Sequence, residues 1–251
     1  DARREDRLRR SHALAIGTLG HIGLAHHYAL MKDRQQGRTP VRWLAPADAV
    51  RAFARRQGLE DYVPEMMPAL EMYPRHYAAE ESSLEIIAVE KVLSTVIAGR
   101  PFTQRADLAV KPRGQELIAI FDHKWISRCS NKWARQYAND GQFLGYKVLG
   151  AEAWGSAFGG VFLNAIEYPA QRFRRPPLPE NISGLAQFRA RIKDVDDRRE
   201  ALTAETRAGL RDPWEFPRAN SELVCEHRYS ACEALELCRY GVQGLALLGV
   251  K

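Results

Sequence analysis

ELIAIFDHKWIS, residues 116–127, is an apolar run that stops abruptly at Asp122, His123 and Lys124. Leu117 to Phe121 has the length and the β-branched and aromatic texture of a buried strand. Successive side chains of a strand point to opposite faces, so Asp122 and Lys124 share one side and His123 takes the other. The strand therefore offers a carboxylate and an ammonium together at its end. Upstream, FTQRADLAV (102–110) is a second strand-like run, and Lys111-Pro112-Arg113-Gly114 between the two carries turn chemistry. An antiparallel hairpin is expected, with Asp107 on the strand beside Asp122. A third run, LEIIAVE (84–90), precedes the turn-like Ala98-Gly99-Arg100-Pro101. Downstream, residues 133–153 return to helical spacing and AFGGVFLNAIE (157–167) reads as another strand. A strand, helix and strand in succession imply a crossover to a parallel neighbour. The expected class is α/β, with a central mixed sheet flanked by helices.

Around this core, residues 9–32 read as mostly helical, with Gly17 and His21 one turn apart on one face. APADAVRAFARRQG reads as an amphipathic helix with Asp48 in its first turn and Gly58 past its end. RFRRPPLPEN is a Pro- and Arg-rich loop, followed by a charged helix from about Gly184 to Leu202 and a cysteine segment. Three regions are expected: an N-terminal helical region (1–80), a core (81–170) and a C-terminal helical segment (171–251). With 251 residues, 45% of them hydrophobic, the chain can fill a sizeable core. Thirty-seven Lys and Arg against 31 acids, with pI near 9.2, permit nucleic-acid binding without requiring it. No apolar run approaches membrane-spanning length, and DARREDRLRR lacks the apolar stretch of a signal peptide. A soluble, cytoplasmic protein is expected.

Two carboxylates on adjacent strands with a lysine beside them make a hard oxygen site for Mg²⁺ or Mn²⁺, with a cation poised near an attacking water. That combination suits phosphodiester hydrolysis. Asp107 lies upstream of Asp122 and Lys124, and downstream Gln142 and Tyr146 share a helix face. In this order the residues resemble the PD-(D/E)xK nuclease superfamily, and within it the RecB-type exonucleases. Gly17-Thr18-Leu19-Gly20-His21 is similar to that branch's helical G-x-x-x-H, and GRPFTQRAD (99–107) to the turn and strand delivering the first aspartate. FDHK resembles the D/E-x-K motif and QFLGY (142–146) the Q-x-x-x-Y motif. The matches span roughly residues 17–167.

The resemblance implies a restriction-endonuclease-like core in which His21, Asp107, Asp122 and the backbone carbonyl of His123 hold the metal. It implies that Lys124 orients the attacking water and that Gln142 and Tyr146 hold the nucleic-acid strand. Glu90, closing LEIIAVE, is a further carboxylate candidate. Trp125 departs from the small hydroxyl residue common after the lysine, and bulk there is expected to alter the DNA groove. His26 and His27 point about 100° apart on a helix and make poor co-ligands. Trp133, Tyr137 and Phe143 read as core and groove wall.

Cys225, Cys232 and Cys238 cluster near the C-terminus, a pattern that fits a metal or cluster site better than a disulfide framework. RecB-type relatives with an iron–sulfur centre imply a [4Fe–4S] cluster on these three, with a fourth ligand upstream of Asp1 or at Cys129. Zn²⁺ on the three cysteines and His227 is an alternative, as are three reduced thiols. The expected function is a Mg²⁺- or Mn²⁺-dependent DNA exonuclease acting on single-stranded DNA or DNA ends in recombination, repair or CRISPR adaptation. A recombination or CRISPR-adaptation protein is the implied partner. Two alternatives stay open: a DNA-binding accessory subunit of the same fold with Trp125 obstructing the site, and a structure- or site-specific endonuclease.

Overall fold

The computed structural model describes residues 12–40, 42–128, 137, 140–179, 182–210, 226–227 and 230–231. They fall into two compact units, residues 12–192 and a second that begins, among the described residues, at Lys193.

The first unit opens with α1, His12–Gln35, which buries Ile16, Leu19, Leu24 and Tyr28. Helix α2, Pro46–Gln57, has a proline in its first turn, where the missing N–H costs nothing. It ends at Gly58, whose φ of +64° is the left-handed cap that glycine adopts without strain. Helices α3, Val63–His76, and α4, Ala78–Ser82, occupy a stretch without an evident helical signature. Pro68 and Pro74 sit inside α3, where each removes a backbone donor. Burial of Met66, Ala69, Leu70 and Tyr73 on one face outweighs that penalty.

The sheet runs in the order β1-β2-β3-β4-β5. Strands β1, Leu84–Ile97, and β2, Arg100–Pro112, form a hairpin longer than the runs 84–90 and 102–110. Its turn contracts to Ala98 and Gly99, both with positive φ, the pairing that matches the right-handed twist of the flanking strands. Strand β3, Ile118–Ile126, pairs antiparallel with β2 and parallel with β4, Phe158–Glu167. Helix α5, Gly141–Trp154, makes the crossover; Asp140 caps it by accepting from the Gln142 N–H at 2.8 Å. The expected helix from residue 133 therefore starts later among the described residues. Part of the expected Pro- and Arg-rich loop is instead β5, Arg172–Arg174, paired with Ala165–Glu167. Edge position explains this: β5 needs one row of hydrogen bonds and the single buried side chain of Phe173.

The core lies on both faces of the sheet. One cluster joins α1 to α3 with Leu108, Phe121, Trp125, Ile166 and Phe173; the other seats α5 residues Phe143, Tyr146 and Leu149 on Ile120, Val161 and Leu163. Helix α1 approaches the sheet closely because a Cβ at Gly20 would stand 2.1 Å from the Trp125 indole. Gly20→Ala is expected to destabilise the protein by about 1–3 kcal/mol through overpacking. At Gly17 a Cβ meets nothing within 4 Å, so Gly17→Ala should leave the denaturation midpoint unchanged or raise it. Equal midpoints for Gly20→Ala and the parent would refute this account of the α1–β3 contact.

Helix α6, Ile182–Arg207, buries none of its residues. Its part in the second unit carries the pairs Lys193–Asp197, Asp194–Arg198 and Asp196–Arg199, at the three- and four-residue spacings that support a solvated helix. The other described residues of that unit include the antiparallel pair β6, Glu226–His227, and β7, Ser230–Ala231. Cys129, Cys225, Cys232 and Cys238 lie outside the described residues, as does Trp133.

Candidate active site

Strands β2 and β3 pair at Leu108–Phe121, Ala109–Ile120 and Val110–Ala119. From there toward the site β2 continues along β1 and β3 along β4. The register places Asp107 and Asp122 opposite each other at the point where the strands part. A backbone N–H of His123 that a ladder partner would otherwise satisfy donates instead to Asp107 Oδ2 at 2.8 Å. Helix α1 brings His21, whose Nδ1 lies 3.4 Å from the same Asp107 oxygen. Glu90 is a third carboxylate: ligand atoms of His21, Glu90 and Asp107 all lie within 4.8 Å of one another, a group that can hold a metal ion. It sits between the pairs Val89–Leu108 and Lys91–Ala106, with φ of +50°, a strained value for a residue other than glycine. Arg105 pairs with it at 2.9 Å.

Asp122 is fully buried, and its Oδ2 forms an ion pair with Lys124 Nζ at 2.7 Å. Gln142 ties the pair together. Its Oε1 accepts from Lys124 Nζ at 3.0 Å, while Nε2 faces Asp122 Oδ1 at 3.0 Å and the Tyr146 hydroxyl at 3.1 Å. Tyr146 donates to the Arg105 carbonyl at 2.9 Å. Both side chains thus face the carboxylate and lysine. The Lys124 ammonium also stands over the ring of Phe143, 5.2 Å from its centroid. Gln142→Ala is expected to lower turnover about tenfold by freeing Lys124 and Asp122 from each other; an unchanged kcat would remove this positioning role.

Burial raises these acids first, and the Asp107 charge adds to it at Asp122 and Glu90. Asp107 and Asp122 stand above the usual aspartate range, first through burial, with Lys124 acting in the opposite direction on both. Glu90 is pushed up to about 7 by burial and by Asp107, with Arg105 opposing. Burial holds His21 below its ordinary value, which keeps a neutral ring nitrogen free to ligate. Tyr146 is raised by burial and by Asp122 and Asp107, so it stays protonated and acts through hydrogen bonding. Three crowded, buried carboxylates share two cations, Lys124 and Arg105, and still stand at raised pKa, a condition a divalent cation relieves.

Behind β3 the picture differs from the sequence expectation. Trp125 is buried against Gly20 of α1, on the side of the strand away from Lys124, so its bulk does not reach the face that carries the acids. The His123 ring is fully buried, stacked 5.7 Å from Tyr28 and 2.7 Å from Asn164 Nδ2. His26 bonds the Leu44 carbonyl and His27 bonds Glu81, so both serve packing. Arg175 is buried among Tyr28, Tyr73, Glu81 and Asn164. Asn164 reads in sequence as one polar residue in an apolar strand, a signal of a buried hydrogen-bond network. Nothing local distinguishes Arg175 from Arg172 or Arg174.

No family model matches the sequence, and no curated protein does. Among solved structures, one from Eubacterium rectale named "Putative exonuclease" is similar over 88% of this chain and 74% of its own, with 13% identity and a TM-score of 0.44. That likeness is too distant to assign fold or chemistry. Among the described residues no helix is long and apolar enough to cross a membrane.

Proposed function

We propose that the protein is a divalent-metal-dependent nuclease of the PD-(D/E)xK type, RecB-like, that hydrolyses phosphodiester bonds of single-stranded DNA or DNA ends. The observation that carries this reading is the meeting of Asp107, Asp122 and Lys124 at the parting of β2 and β3, with His21 delivered from α1. A structural strand end has no physical reason to gather buried acids of raised pKa around one point.

His21, Asp107 and Asp122 would hold the Mg²⁺ or Mn²⁺ ion, with the His123 carbonyl and Glu90 beside them. Bound there, the ion supplies positive charge against the phosphate oxygens and the leaving group. Lys124 holds the attacking water beside Asp122 and opposes the negative charge that builds on the phosphoryl oxygens. The water oxygen forms the new bond to phosphorus as it gives up a proton to solvent, the bond to the departing sugar oxygen breaks, and that oxygen takes up a proton from solvent. Gln142 and Tyr146 keep Lys124 and Asp122 in register and border the path of the strand. A basic chain that tracks phosphates needs no base reading, which suits an exonuclease acting in recombination, repair or CRISPR adaptation, beside a protein partner of that process. The burial of Trp125 leaves the accessory-subunit alternative without its obstruction. A [4Fe–4S] cluster on Cys225, Cys232 and Cys238, or Zn²⁺ there, remains part of the proposal.

The test is cleavage of end-labelled linear and of circular single-stranded DNA with Mg²⁺ or Mn²⁺. Loss of nucleotides from linear DNA with circular DNA intact supports the exonuclease. Cleavage of circles supports the endonuclease alternative, and binding without cutting overturns the catalytic reading.

A further inference from the structure

The face of β3 turned away from the acids carries a second polar cluster, and Arg175 fixes the order of donors along Asn164 and His123. Arg175 has donors alone, so its Nε, 3.1 Å from Asn164, faces the amide oxygen. That orientation turns Asn164 Nδ2 toward the Tyr73 hydroxyl at 2.6 Å and His123 Nδ1 at 2.7 Å. An amide N–H donates, so His123 Nδ1 accepts, and the proton of the neutral ring sits on Nε2. Arg175 Nη2 lies 2.6 Å from the hydroxyls of both Tyr28 and Tyr73 and forms an ion pair with Glu81 at 3.1 Å, while Nη1 donates to Glu80 at 2.7 Å. The Tyr28 hydroxyl donates to Glu81 Oε1 at 2.7 Å. The guanidinium lies 3.4 Å over the Tyr77 ring, and just 6% of the Arg175 side chain is exposed. It is therefore a structural cation and not a contact for DNA phosphate.

The peptide of His123 looks the other way. Its N–H donates to Asp107 Oδ2 at 2.8 Å, the same oxygen that lies 3.4 Å from His21 Nδ1. One residue is thus gripped by its ring behind the sheet and presents its peptide N–H to the carboxylate that neighbours His21 at the site.

We propose that Arg175, Asn164 and His123 form a positioning relay, in which the buried guanidinium orients the Asn164 amide, the amide sets the tautomer and plane of the His123 ring, and the ring fixes the peptide that organises Asp107 and His21. The relay rests on the nuclease reading of the site. A buried hydrogen-bonded network specifies one arrangement more sharply than apolar packing does, because rotating a member leaves a buried polar group unpaired.

The experiment joins ¹⁵N NMR of the His123 ring with steady-state kinetics, for the parent, Asn164→Asp and Arg175→Lys. In the parent, His123 should carry its proton on Nε2; a proton on Nδ1 overturns the relay whatever the variants do. Asn164→Asp keeps the shape and the acceptor facing Arg175 but offers His123 an acceptor, so Nδ1 should gain a proton while the circular dichroism spectrum is retained. Turnover should then fall about 10–100-fold with KM changed less than about twofold, the scale on which supporting hydrogen bonds act. Arg175→Lys keeps the charge and loses the fork, and should lower kcat in the same direction. Parent-like kcat in Asn164→Asp with Nδ1 protonated overturns the relay alone. A parent that cuts no DNA fails the nuclease reading itself.

Discussion

Asp107→Asn should lower Mg²⁺- or Mn²⁺-dependent cleavage of linear DNA by about 10³-fold or more, and should also raise the melting temperature of the EDTA-treated protein at pH 8. The two effects share one cause. Asp107 touches both His21 and the His123 peptide and lies among Glu90 and Asp122, so it is the residue through which the group communicates. Its negative charge is what would draw a cation, and losing a metal-holding charge removes transition-state stabilisation on that scale. Without a cation, the same charge is buried among like charges and strains the fold. Asparagine keeps an oxygen to accept the His123 N–H, so the local geometry survives. Activity and stability then move in opposite directions, as expected where a fold tolerates strain for function. Lys124→Ala should cut turnover by about 10²-fold without the stability gain, because it leaves Asp122 buried and unpaired. An Asp107→Asn protein that cleaves within tenfold of the parent removes Asp107 from the catalytic group.

Melting curves against pH give the second large effect. Glu90 titrates at about 7 in the fold, and Asp107 and Asp122 are also raised, chiefly by burial. Carboxylates of the unfolded chain ionise near 4. Between about pH 4 and 7 the unfolded chain therefore sheds protons that the folded chain retains. Stability from these groups is fully present below the unfolded pKa and is lost as pH rises through the folded values. In EDTA the melting temperature should fall across that window. A divalent cation binds the ionised fold and reverses the trend. At pH 8 and Mn²⁺ at about one hundred times its Kd, the gain is about 2.7 kcal/mol, or about 5–10 °C for a chain of this size. At pH 5 the two curves should nearly coincide. Coincident curves at pH 8 would dismiss the metal site, independently of any nuclease assay.

Much of the arrangement is legible in local sequence. The alternation of ELIAIFDHK and its Pro-Arg-Gly link define the β2–β3 hairpin, and the β3–α5–β4 passage yields the parallel pair of a mixed sheet. Local signals suffice here because period and turn chemistry act over a few residues. They fail in α3, where Pro68 and Pro74 argue against a helix that burial nevertheless stabilises. At Glu90 they offer a candidate carboxylate but not its place, because the bend through a left-handed residue that brings it to Asp107 is not written in the local pattern.

What the amino-acid sequence determined by itself was chemical identity in order: a histidine, two aspartates, a lysine and a Gln–Tyr pair, each on an element whose period exposes it on a known face. What the tertiary structure alone decided was convergence. Glu90 joins the acids, Gln142 bridges Lys124 to Asp122, Trp125 turns to Gly20 and away from that face, and Arg175 leaves its basic loop for a buried seat behind His123. Those outcomes depend on contacts between residues far apart in the chain, such as Tyr28, Tyr73 and Arg175. They are settled by which buried polar groups can find partners once the helices and sheet have packed, a condition that no short window of sequence contains.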